Sequence, residues 1–232
     1  MPHNFTFSIM RNKLTVIVLL SLCVSFSANA QVNDAGLWTS INLEKKLTKK
    51  IAIDLSQEFR FNENISELGS FFTEVSAQYK LHKNLSVGAG YRFINKRELD
   101  DSYEKRHRML FDLNAREKFW KIAISARARF QSQYSGINTS ENGKIPDNYL
   151  RTKLSVKYDL EKRYMPYVSG ETFFHLNNPD GILFDNYRLS FGIEYEFTKR
   201  SDIQLGYLID REVQVNNTWT SYITTISYNY RF

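Results

Sequence analysis

Twelve charged side chains fall on alternating positions of short extended segments. They are Arg92, Arg106, Arg108, Asp112, Arg127, Arg129, Arg151, Lys153, Glu171, Arg188, Glu194 and Asp210. Residues two apart in an extended chain point to the same side. Rows of guanidinium groups on one side have two chemical uses. They lock onto carboxylates as ion pairs, or they present a cationic track to a dissolved anion. Cations outnumber anions among the twelve, which points to anion preference. A salt-bridged network that only holds a shape accounts for the same residues equally well.

Other chemistry finds little support. Nucleophilic catalysis needs a nucleophile, a base and an orienting group that converge. His82 falls in a short turn, His107 near the end of a strand and His175 at the edge of a loop, and all three read as surface or rim residues. Ser169 and Ser190 are the serines that His175 could serve, but no G-x-S-x-G segment is present. The segment GAGYRF, Gly88 to Phe93, lacks the spacing and the following helix of a dinucleotide loop. No metal-ligand cluster appears, so neither a catalytic site nor a cofactor is expected.

The chain start narrows the compartment. Arg11 and Lys13 precede an apolar run from Leu14 to Val24, and Ala28-Asn29-Ala30 follows. This is the layout of a secretory signal peptide spanning residues 1–30 and cut before Gln31. The run is shorter than the roughly 20 residues of a membrane-spanning helix. Cys23, the single cysteine, lies inside this segment, so residues 31–232 carry no thiol chemistry and no disulfide. Loss of two basic residues takes the formal charge from +6 to +4. Both signs are interspersed, so no nucleic-acid patch is read.

What must position the charged rows is a set of strands. Apolar and polar residues alternate in the segments 36–47, 51–61, 70–80, 85–93, 105–116, 120–130, 150–158, 166–174, 187–197, 202–210 and 221–232. The segment 120–130, for example, sets Trp120, Ile122, Ile124, Ala126 and Phe130 against Lys121, Ser125, Arg127 and Arg129. Segments of roughly 9–11 residues suit tilted strands that cross a bilayer. The connections LTKK, LHKN, REKF, DLEKR and TKRS are short turns. FNENISELG, NKRELDDSYE, QSQYSGINTSENGKIPDN and NNPDGI are longer and polar. Short turns at one rim and long loops at the other fit an outer-membrane barrel.

The expected fold is therefore an all-β, antiparallel, up-and-down transmembrane barrel of about 10–12 strands, covering residues 31–232. The rings of Tyr, Phe and Trp are too bulky to fill a small lumen, so they face lipid and the charged rows face a wet interior. Ile226, Tyr228, Tyr230 and Phe232 share the lipid-facing parity of the last strand. An aromatic end of this kind resembles the signal read by the outer-membrane assembly machinery. Eleven segments conflict with the even strand count of bacterial barrels. Ten or twelve strands are expected, with 36–47 either outside the wall or joined by a strand not yet recognised.

Several stretches carry a family resemblance: Gly36-Leu37-Trp38, EFRF after the first turn, PYVSGETFF around Pro166, Tyr167 and Glu171, and YRLSFGIEYEF with Arg188, Gly192 and Tyr195. Together with the aromatic C-terminus, they resemble the outer-membrane barrel family of Bacteroidota known as domain of unknown function 2490. The resemblance implies fold and outer-membrane location in a Gram-negative bacterium, and carries no activity or functional residue. The expected partners are outer-membrane lipid and the barrel assembly machinery. The expected role is a structural barrel or a narrow pore with a charged lumen. A barrel-embedded lipid-modifying enzyme, or a binding barrel that uses long loops such as 131–148, are the alternatives.

Overall fold

The computed structural model describes residues 33–135, 144–160, 163–179, 181–213 and 219–232. The segment read as a signal peptide lies outside them. The described chain forms eleven strands that close into one barrel. They are β1 (Asn33–Lys46), β2 (Ile51–Asn62), β3 (Glu67–His82), β4 (Leu85–Arg97), β5 (Tyr103–Phe119), β6 (Ile122–Ser135), β7 (Asp147–Tyr158), β8 (Tyr164–His175), β9 (Leu183–Thr198), β10 (Ser201–Glu212) and β11 (Thr220–Arg231). Consecutive strands pair antiparallel, as alternating hydrophobicity and tight turns dictate.

Closure is made by a parallel pair. β1 lies beside β11 in continuous register from Asn33↔Thr220 to Glu44↔Arg231. The expected even count therefore does not hold, and the segment 36–47 is in the wall. With eleven strands, first and last run the same way, so closure has to be parallel. Side chains on the lumen face reinforce the seam. Ser40 Oγ donates to Ser227 Oγ at 2.8 Å and Asn42 Nδ2 donates to Asn229 Oδ1 at 2.9 Å. Asn229 Nδ2 in turn donates to Asp202 Oδ2 at 2.6 Å. The register also sets Asn33 at the rim of the longer loops and Phe232 at the rim of the short turns.

Several connections are shorter than expected because the strands run further than the alternation alone marks. β6 continues through Gln131 and Gln133 to Ser135, so the loop expected over 131–148 begins later and Tyr134 belongs to a strand. The FNENISELG loop contracts to 63–66. There Glu63, Asn64 and Ile65 take left-handed φ values of 51°, 57° and 70°, costly for the β-branched Ile65. The Asn64 N–H donates to Asp34 Oδ1 at 3.0 Å and ties this turn to β1. Trp120, expected on a strand facing lipid, sits in the β5–β6 turn with φ 51°.

The outer face is apolar from strand to strand. Ile41, Leu55, Val75, Met109, Phe111, Leu113, Leu154, Val168, Phe191 and Leu205 are all exposed on it. In water this would be an apolar surface far beyond what a soluble monomer carries, whereas in lipid it is the contact surface. The buried apolar side chains Phe72, Ile94, Leu110, Phe173 and Ile223 belong to the opposite parity and point inward.

Candidate functional site in the barrel lumen

The lumen's two larger cavities share no lining residue. One of about 400 Å³ opens toward the longer loops and includes Trp38, Arg60, Phe72, Arg92 and Arg108. The other, about 780 Å³, opens toward the short turns and includes Glu74, Asp112, Arg127, Arg129 and Glu194. Between them lies a layer of alternating cations and rings. Arg92 stands 3.8 Å from the Phe72 ring centre, and Arg60 stands 4.9 Å from the same ring. Arg60 also covers Trp38 at 3.7 Å, and Arg188 lies 5.1 Å from that ring. Arg188 and Arg151 then flank Phe173 at 4.6 and 4.4 Å. These are cation–π distances, and desolvation inside a barrel strengthens each contact. The run draws on β4, β3, β2, β1, β9, β8 and β7, so it follows most of the inner wall, and Leu110 and Ile223 extend the layer from β5 and β11.

Strand register decides which charges meet. Arg127 stands opposite Lys153, Lys153 opposite Glu171, Glu171 opposite Arg188, and Arg188 opposite Asp210. Within this ladder Glu171 accepts from Arg127 at 2.7 Å and from Arg151 at 2.9 Å. Arg188 donates to Asp210 at 2.9 Å through Nε. Arg129 meets Asp112 through two parallel hydrogen bonds of 2.6 and 2.7 Å, the bidentate geometry that guanidinium favours. Arg92 pairs with Glu74 at 2.5 Å, and Lys157 pairs with Glu194 at 2.5 Å. Arg106, nearer the loop rim, is held by Glu104 at 2.5 Å and Glu98 at 3.2 Å.

Three directly opposed pairs are cation against cation: Arg92↔Arg108, Arg127↔Lys153 and Arg129↔Arg151. Like charges facing across strands are destabilising. Arg108 is the extreme case. Its guanidinium donates to Gln133 Oε1, with Nε at 3.0 Å, and no carboxylate lies within ion-pair distance among the described residues.

Contacts join these charged residues in separate groups drawn from different strands: Arg127 and Arg151 on Glu171, Arg188 on Asp210, and Arg129 on Asp112, with Lys153 beside Glu171 by register. The sequence reading missed the rings and aliphatic side chains among them. A signal for them existed. Alternation breaks into adjacent apolar residues at Leu37-Trp38, Phe71-Phe72, Phe93-Ile94, Met109-Leu110-Phe111, Phe173-Phe174 and Tyr222-Ile223, and in each break one residue turns inward.

A further inward contact needs glycine. Tyr167 of β8 lies flat across β9 and β10. A Cβ on Gly192 would stand 2.9 Å from the Tyr167 ring, and one on Gly206 would collide with its hydroxyl. Only glycine leaves room for that ring.

The family model of a protein of unknown function, DUF2490, matches residues 35–228. The chain belongs to this family. Two solved structures share the barrel fold. One is titled "Bacterial polysaccharide outer membrane secretin", with TM-score 0.54 and 9% identity over 81% of this chain and 67% of the other. The second is titled "NanC porin structure in rhombohedral crystal form", with TM-score 0.51 and 14% identity over 86% of this chain and 98% of the other. At such identities the likeness is one of fold, and this DUF2490 chain is a transmembrane β-barrel of the outer-membrane type. No curated protein matches the chain significantly.

The parts of a catalytic site do not converge. Ser169 and Ser190 hydrogen-bond to each other at 2.7 Å. His175 stacks on Tyr149, with ring centres 4.5 Å apart. It lies six residues from Ser169 along β8, about 20 Å at the rise of a strand. His107 contacts Tyr91 on the outer face at 2.5 Å, and His82 ends β3. No group of metal-ligating side chains occurs among the described residues.

Proposed function

We propose that this barrel sits in the outer membrane of a Gram-negative bacterium as a narrow, anion-favouring pore, throttled midway by the arginine–aromatic layer. The observation that carries the reading is the set of opposed cation pairs, with Arg108 lacking a carboxylate. A barrel selected only for rigidity would alternate signs across every strand pair. The excess positive charge is retained inside the barrel, where a low-dielectric wall strengthens its field on a passing ion. In this reading the C-terminal residues Ile226, Tyr228, Tyr230 and Phe232 present the lipid-facing edge recognised during assembly. The exposed Phe232 ring and the half-exposed Tyr228 fit that role.

The test is electrical. Residues 31–232, refolded into a planar bilayer under a potassium chloride gradient, are expected to give a small conductance whose reversal potential lies on the chloride side. A cation-selective or unselective current, or a folded and inserted barrel with no current, would overturn the reading.

A further inference from the structure

A third cavity, of about 190 Å³, lies against the loop side of the layer and brings Arg60, Arg108, Arg151 and Arg188 together over the Phe173 ring. We infer that this pocket is a binding site for a small monocarboxylate that carries hydroxyl groups, the chemistry of a sugar acid or hydroxy acid. The inference deepens the anion-pore reading by giving the anion a resting place, and it rests on that reading only for the route of entry.

The charge balance sets the valence of the ligand. Arg60 is neutralised by Glu58 at 2.6 Å and Arg188 by Asp210 at 2.8 Å. Glu171 is shared between Arg151 and Arg127. Asp185 adds one carboxylate to the lining, which leaves the pocket with one positive charge in formal balance. Arg108 then remains as one unmatched guanidinium, held by Gln133 alone. One unmatched guanidinium calls for one carboxylate, and its planar fork favours bidentate capture.

Acceptors in the same pocket set the remainder of the ligand. Asn186 lines the same pocket, and its Oδ1 is buried without a hydrogen-bond partner. A buried acceptor left unpaired is unfavourable, and a bound donor relieves it. Together with the Asp185 carboxylate it asks for O–H groups on the ligand. The volume is worth about six water molecules, the size of a six-carbon sugar acid. Phe173, buried between Arg151 and Arg188, supplies the apolar part of the lining.

The experiment is a calorimetric titration of residues 31–232, folded in detergent, at fixed ionic strength. Sodium glucuronate is the probe, and sodium acetate and glucose are the controls. Saturable one-to-one binding of glucuronate is expected, with acetate at least tenfold weaker and no heat from glucose. Arg108→Gln is expected to weaken glucuronate at least tenfold. Arg116→Gln, in the turn-side cavity, is expected to leave it unchanged. Asn186→Asp is the second variant, since its new carboxylate adds negative charge to the pocket and repels the ligand, and it too is expected to weaken glucuronate at least tenfold. Absence of saturable heat with glucuronate, equal binding of glucose, or unchanged affinity in both pocket variants would overturn the inference. The two proposals fail separately. Chloride selectivity without glucuronate binding removes the site and keeps the pore, whereas binding by an electrically silent barrel removes the pore and keeps the site.

Discussion

The two halves of the lumen are built from the same strands and the same alternation, yet they neutralise charge differently. On the turn side, guanidinium and ammonium groups meet carboxylates: Arg129 with Asp112, Lys157 with Glu194, and Arg231 with Asp202. On the loop side, Arg60, Arg92 and Arg188 have carboxylates too but also lie against rings, and Arg108 has only an amide for its acceptor. Rings accept a cation without cancelling its charge. One half is therefore an electrostatic brace, and the other keeps its positive potential while remaining packed. Under the proposed pore function, the same wall would give rigidity and field at different levels.

The largest expected effect breaks the packed level. Phe72 is 3% exposed and touches both Arg60 and Arg92. Phe72→Ala is expected to lower unfolding free energy by about 3–5 kcal/mol, measured by urea titration in lipid vesicles, and to raise single-channel conductance by joining the two cavities. Next comes the brace. Asp112→Asn removes the bidentate partner of a buried Arg129, with an expected loss of about 3–5 kcal/mol in the same titration and little change in the direction of selectivity. A smaller effect concerns closure. Ser227→Ala removes one rung of the β1–β11 seam, and a loss of about 0.5–1.5 kcal/mol is expected, read as faster unfolding. The smallest effect has the opposite sign. Arg108→Gln removes one directly opposed cation pair, so a gain of about 0.2–1 kcal/mol is expected. A loss there comparable to that of Asp112→Asn would erase the distinction between the halves.

Much of this was legible in the sequence, and the reasons are physical. Alternation with period two identifies each strand and its lipid face, because side chains cannot share a face otherwise. The rows Arg106/Arg108 and Arg127/Arg129 announce a charged interior by the same rule. Parity alone does not give register, which depends on where each turn begins. The β4–β5 register, closed at Arg97↔Tyr103, sets Arg92 opposite Arg108, and the β6–β7–β8 register lets Glu171 serve two arginines. Inward rings were obscured because Trp38, Phe72 and Phe173 look like errors in an otherwise charged row. The parallel seam was foreshadowed by the odd count of segments, and only the even-count rule argued against it. Arg60 and Asp202 stayed outside the first set of charged residues, since their weight comes from partners on distant segments: Trp38 for Arg60 and Arg231 for Asp202.

The most direct test of the central claim, that uncompensated arginine on the loop side sets the preference for anions, is the reversal potential of Arg108→Glu beside that of the natural chain in the same bilayer and salt gradient. The account predicts that the natural chain reverses on the chloride side, and that the variant moves toward or past zero with its fold retained. An unchanged chloride-side potential in Arg108→Glu, or a natural chain without anion preference, would contradict it.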